Sequence, residues 1–153
     1  MTEIVPKYNF HFCGTSFIST DIKRLKNKIS LEEDVFAHSK FIRGKVFEKL
    51  RVDDYTGRLG NFLTKIDLKG VGTIFFYKNR WKITSPESRG TSDGFRIIFG
   101  LFVNKHETII YIPIFVFTAK EEKSTINIGN NRKVKITSSG ITEVIKSRLE
   151  SLK

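Results

Sequence analysis

Apolar and polar residues alternate from Tyr8 to Phe12, where Tyr8, Phe10 and Phe12 are separated by Asn9 and His11. That period of two predicts a half-buried strand. Gly14-Thr15-Ser16 interrupts it, and Ser19, Thr20 or Asp21 can cap a following helix. Ile18, Ile22, Leu25 and Ile29 fall on one face of that helix, with Lys23, Lys26 and Lys28 mostly off it. Ser30 and Glu33 have capping-box spacing for a second helix, whose buried stripe is Leu31, Val35, His38 and Ile42, with Phe41 beside them. The two helices read as an antiparallel hairpin. Residues 44–72 are the least regular: Val46, Phe47 and Leu50 suit either a helix or a strand, and Asp53 to Gly57 reads as a loop.

The period then changes. Long β-prone runs predict strands at Thr73 to Ile83, Gly94 to Val103 and Thr108 to Thr118, with a hairpin-length connection at 104–107. Pro113 lacks the N–H of a central strand residue and implies an edge, a bulge or a break. Lys133 to Ile136 suits another short strand. Ser139 or Gly140 precedes a terminal helix with Ile141, Val144, Ile145, Leu149 and Leu152 on one face. The pattern predicts an α+β fold: an N-terminal strand and helical hairpin on a twisted antiparallel sheet of three to four strands, with a C-terminal helix. It occupies one domain over 1–153, with an irregular insertion at about 44–72 and a C-terminal extension at about 124–153.

Composition narrows the class. The 153 residues include 14 Phe and are 39% hydrophobic, enough for a compact core and against disorder. No run approaches the ~18–20 apolar residues of a membrane span, and the first residues lack the apolar stretch of a secretory signal. With Cys13 the single cysteine, no internal disulfide can form, and a cytoplasmic location is expected. Charge changes the picture more. The chain carries +11, of which residues 1–70 contribute +4 (13 basic, 9 acidic) and residues 71–153 contribute +7 (14 basic, 7 acidic). Such a field favours a polyanion as partner.

His11, His38 and His106 lie in different elements without a metal-ligand spacing, and no phosphate-binding glycine loop opens a helix. No metal or other cofactor is therefore expected. His38, on an apolar helical face, reads as a core histidine. What remains is a set of cations on strands. Lys78, Arg80 and Lys82 alternate and so share a face, while Phe75, Tyr77, Asn79, Trp81 and Ile83 take the other and would pack on the helices. Arg89, Arg96, Lys120 and Lys123 follow at strand ends and in loops. A cationic strip of this kind matches a phosphodiester backbone, although alternating charge also marks a merely solvated face.

Tyr77-Lys78-Asn79-Arg80-Trp81-Lys82-Ile83, a polar loop, then Ser92-Asp93-Gly94-Phe95-Arg96-Ile97-Ile98-Phe99 resembles the central strands of the RelE/ParE toxin superfamily. The run from Ile109 to Lys120 does so too, and the resemblance covers most of residues 8–123. It implies a RelE-like fold and the toxin component of a toxin–antitoxin system. It further implies a metal-independent endoribonuclease that cleaves mRNA at the ribosome by directing the 2′-hydroxyl at the adjacent phosphate. The implied partners are mRNA, the ribosome and a cognate antitoxin, with DNA met only through an antitoxin complex and no membrane. By position the resemblance assigns Arg96 to phosphate stabilisation and Lys82 to base or electrostatic duty, with Lys120 a third catalytic candidate. Lys78, Arg80, Arg89 and Lys123 become substrate-binding candidates. The chain also departs from the family. Thr84 and Glu121 stand where a lysine and an arginine are expected, and Ile126, Asn127 and Ile128 stand near the place of a tyrosine. The general acid is then absent or comes from elsewhere, such as Tyr55, His106 or Lys123. Absence would suit a ParE-like gyrase inhibitor, or a noncatalytic nucleic-acid- or protein-binding domain of the same fold.

Overall fold

The computed structural model describes residues 9–25, 31–51, 59–81, 94–104 and 108–150. Over these residues the chain is α+β, with a mixed sheet of five strands, a separate two-stranded hairpin and three α-helices. In chain order the elements are β1 (Asn9–Phe12), α1 (Ser19–Leu25), α2 (Leu31–Arg51), β2 (Asn61–Leu68), β3 (Gly72–Trp81), β4 (Phe95–Asn104), β5 (Thr108–Thr118), β6 (Thr125–Gly129), β7 (Arg132–Lys135) and α3 (Ser138–Leu149). The large sheet runs β1-β5-β4-β3-β2; β2 to β5 form an antiparallel meander, and β1 joins β5 in parallel.

The expected sheet of three to four antiparallel strands is instead a mixed sheet of five, because β1 joins it in parallel and β2 comes from a segment read as irregular. Residues 44–72, read as irregular, continue α2 to Arg51 and supply β2. The stretch read as one short strand near Lys133 is the second arm of the β6–β7 hairpin, turned by Asn130-Asn131 with both residues at positive φ (51° and 60°). Two consecutive left-handed residues match the right-handed twist of the arms, which is why asparagine is favoured there. Ser30, Ile29, Ile83, residues 105–107 and Leu152, invoked for caps, stripes, a strand end and a loop, lie outside the described residues.

Both faces of the sheet are covered. On the first, Phe75, Tyr77, Phe95, Ile97, Phe99, Leu101, Ile109, Tyr111 and Val116 pack with Ile18 and Leu25 at α1 and with Leu31, Val35, Ile42 and Val46 of α2. On the second, Ile74, Phe76, Ile98, Phe102, Ile112, Phe115 and Phe117 pack with Ile128, Val134 and Ile136 around the hairpin and with Ile141, Val144 and Ile145 of α3. Burial from both sides explains why β4 and β5 read as continuous apolar runs where the exposed β2 does not. Gly100 sits at a tight point between β4 and β3: a Cβ there would lie 2.8 Å from both Ile74 Cγ2 and Phe76 Cε1. Pro113 is accommodated by a bulge. Ile98 pairs with Phe115 and Phe99 with Pro113, so Ile114 is the extra residue and β5, an interior strand, absorbs the missing donor of Pro113. At the far edge, β2 carries a second bulge at Leu63 and Lys65 in mid-strand, two features that discourage edge-to-edge pairing.

β1 pairs with β5 only as far as Tyr111, whose carbonyl accepts the Cys13 N–H at 3.0 Å. Beyond that point side chains take over the β5 edge. The fully buried Asp21 accepts the Val116 N–H at 3.0 Å, and Arg24 donates to the Val116 carbonyl at 2.7 Å. Arg148, from α3, donates to Asp21 through both terminal nitrogens (2.6 and 3.0 Å), to the Ile114 carbonyl (2.9 Å) and to the Ile128 carbonyl (3.2 Å). Arg24 closes the cluster at 2.9 Å from Asp21 and 2.8 Å from Glu121.

Asp21→Ala leaves two largely buried guanidinium groups and one backbone donor without their shared acceptor. Breaking a buried ionic cluster in this way costs about 3–5 kcal/mol, so urea unfolding of the variant should show a loss of that size, and a change under about 1 kcal/mol would place the pair among ordinary surface bridges.

Candidate nucleic-acid interface

Strand parity puts Lys78 and Arg80 on the second face of β3, in line with Ile74 and Phe76. The β3–β4 register then sets Lys78 opposite Ile98 and Arg80 opposite Arg96. The strip is confined to one end of that face, because the hydrophobic cluster beneath α3 and the hairpin occupies the rest. Directly opposed like charges repel. Here Arg80 stays exposed, whereas Arg96 is buried, its side chain only 8% exposed. A buried guanidinium needs a counter-charge, and Glu122 provides it, with Oε1 2.6 Å from Arg96 Nε.

The turn that presents Glu122 is tightly specified. After β5, Thr118 caps a 3-10 turn (Ala119–Glu121) in a capping box with Glu121, whose carboxylate accepts the Thr118 N–H at 2.9 Å. The Glu122 N–H donates to the Ala119 carbonyl at 3.2 Å, and Ser124 N–H to Glu121 at 2.9 Å. Lys123 N–H docks on the Ile136 carbonyl at 2.9 Å, and its own backbone is held at φ 66°, a left-handed conformation a lysine adopts only under constraint. The two neighbouring acids therefore part: Glu121 turns to Arg24 and Glu122 to Arg96.

The structure thus brings Lys78, Arg80 and Arg96 onto one sheet end and sets Lys120 and Lys123, both exposed, on the turn that carries Glu122. Lys82 and Arg89 lie outside the described residues, as do Tyr55, His106 and Thr84. Ile126, Asn127 and Ile128, near the position where the resemblance leads one to expect a tyrosine, lie in β6, with Ile128 buried in the second core. Glu122 is the charged group that the sequence reading did not single out. The available signal was local: Thr118 and Glu121 have capping-box spacing, which commits Glu121 and leaves its neighbour to face another way.

His38 is fully buried, as its apolar setting predicts. Asn79 donates its amide to the Leu59 carbonyl (2.9 Å) and to His38 Nε2 (3.0 Å), which places the ring proton on Nδ1, 2.6 Å from the Tyr111 hydroxyl. Trp81 and Phe99 meet the ring edge-on at 4.9 and 5.0 Å. Burial lowers the imidazole pKa from 6.5 to about 3 and raises the Tyr111 phenol, to which Cys13 adds a smaller push. Among the described residues no group of three or more His, Cys, Asp or Glu is placed to hold a metal ion, and no helix is long and apolar enough to cross a membrane. An open cleft of about 690 Å³ beside Ser16, Thr20 and Asn130 includes Arg132 and Arg148, but both already hold carboxylates, Glu143 and Asp21.

Comparison of the chain with family models, with curated proteins and with solved structures finds no match.

The His38 ring makes folding sensitive to mild acid. The unfolded chain takes up this proton near pH 6.5 and the folded chain only near pH 3, so protons favour the unfolded state between those values. The residue contributes no pH dependence above that window. Within it, stability should fall by about 1.4 kcal/mol for each pH unit of acidification. Urea titrations of the wild type and His38→Gln at pH 7.5, 6 and 5 should show this component only in the wild type.

Proposed function

We propose that the protein binds RNA at the Lys78–Arg80–Arg96 end of the sheet and cleaves it without a metal ion, as the toxin of a toxin–antitoxin pair acting on ribosome-bound mRNA. The observation that carries this reading is the direct opposition of Arg80 and Arg96 across β3 and β4, with Lys78 on the same face. A folded chain tolerates such an opposition when anions sit between or beside the two charges. Glu122 is one such anion, and a phosphodiester beside the exposed Arg80 would be another.

In this reading the fold is RelE-like and Arg96 steadies the charge that develops on phosphorus. Lys82 and Lys120 serve the proton transfers or the electrostatics, and Lys78, Arg80, Arg89 and Lys123 anchor the backbone. An antitoxin would neutralise the face with acidic side chains, and the site of action would be the cytoplasm. A second reading is a noncatalytic nucleic-acid-binding domain, favoured by the fact that Arg96 already holds a carboxylate of its own chain.

Inducible expression of the wild type should arrest translation and create new mRNA ends. Absence of both arrest and new ends sinks the ribonuclease reading, and arrest with DNA damage but intact RNA points to gyrase. For binding, Lys78→Ala/Arg80→Ala is a cleaner test than Arg96→Ala, which would strand Glu122 and disturb the turn. The double variant should weaken binding of single-stranded RNA and flatten the slope of log affinity against log salt by about 1.4, two contacts at about 0.7 each. An unchanged slope would move the interface elsewhere.

A further inference from the structure

The proposed cleavage needs a group that removes the proton from the RNA 2′-hydroxyl, and the residues assigned to the site are all cations. A lysine or arginine can take up a proton only after losing its own. Glu122 has no such barrier: it is a carboxylate, 37% exposed, 2.6 Å from Arg96 Nε, on the same sheet end as Arg80 and Lys78. Its backbone is fixed by the capped turn and by the docking of Lys123 on Ile136. Its position is therefore set by the fold before any substrate arrives, which general-base catalysis requires.

We propose that Glu122 is the proton acceptor for the 2′-hydroxyl, an inference that rests on the ribonuclease reading above. The 2′-oxygen passes its proton to a Glu122 carboxylate oxygen as the O2′–P bond forms. The P–O5′ bond breaks, and the leaving 5′-oxygen takes a proton from the Lys120 ammonium, two residues before Glu122 in the same turn. The products are a 2′,3′-cyclic phosphate and a 5′-hydroxyl. Glu122 then releases its proton to solvent and Lys120 takes one up, so no metal, oxidant or further reactant enters. Arg96 holds the carboxylate in place and, with Arg80, faces the charge on phosphorus.

Two effects of one substitution separate this role from a structural one. Glu122→Gln keeps the shape of the side chain but removes both the base and a negative charge beside the phosphate. Rates are read on mRNA loaded on ribosomes, and binding on a 2′-O-methyl single-stranded RNA that cannot be cleaved. The expected result is a rate lowered by about 10²–10⁴-fold with binding equal to or tighter than wild type, and partial recovery of rate in Glu122→Asp. Glu143→Gln, in an exposed pair with Arg132 away from this turn, should leave both unchanged. Thermal unfolding of each variant identifies any loss that comes from misfolding, and Glu122→Asp then carries the test. A Glu122→Gln rate within twofold of wild type overturns the assignment while leaving the ribonuclease reading intact. So does a loss of binding matching the loss of rate in a folded variant. If the wild type binds RNA but cuts none, cleavage and the Glu122 assignment fall together and the binding face survives. If it does neither, all three fail.

Discussion

The buried carboxylate of Asp21 is the junction on which distant parts of the chain depend. It accepts the Val116 N–H on the β5 edge that β1 does not reach, and it draws Arg24 from α1 and Arg148 from α3 onto the same point. Arg148 adds the carbonyls of Ile114 and Ile128 and lies over the Phe115 ring at 5.2 Å. One acid, with its arginines, thereby ties α1, β5, the β6–β7 hairpin and α3 together. A charge this deep is tolerable because every donor around it is itself charged or a backbone N–H with no strand beside it.

The same ionic chain reaches the candidate site. Arg24 also holds Glu121, Glu121 caps the turn after β5, and that turn presents Glu122 to Arg96 across from Arg80. The position of the carboxylate in the cationic strip is thus coupled to the packing of the two terminal helices through consecutive hydrogen bonds, none needing a long flexible link. Such coupling keeps a site in register when its groups come from separate strands and a turn.

On the other face, His38 shows how differently a titratable group is handled when it has only neutral partners. Enclosed by Trp81, Phe99 and Tyr111 and bonded to Asn79, it stays uncharged and serves packing. The two faces of β3 consequently divide the labour: Tyr77, Asn79 and Trp81 complete a core, while Lys78 and Arg80 reach the sheet end.

Local period by itself determined much of this protein. The strands β3, β4 and β5, the stripe of α2, the face of α3 and the side to which Lys78 and Arg80 point all follow from alternation or helical spacing, because side-chain direction is set by the residue's own backbone. Pro113 likewise announced an irregularity, which proved to be a bulge. The tertiary structure alone decided the rest. Asn61 to Leu68 lacks a clear alternation because the edge strand is exposed on both faces, and its identity comes from pairing with β3. That β1 would lie parallel to β5 depends on a partner about a hundred positions away. Asp21 meeting Arg148, and Glu122 meeting Arg96 opposite Arg80, are encounters between residues whose spacing in the chain carries no period at all. Sequence placed the cations on one face; only folding set a carboxylate among them, because charges from separate elements choose partners in space.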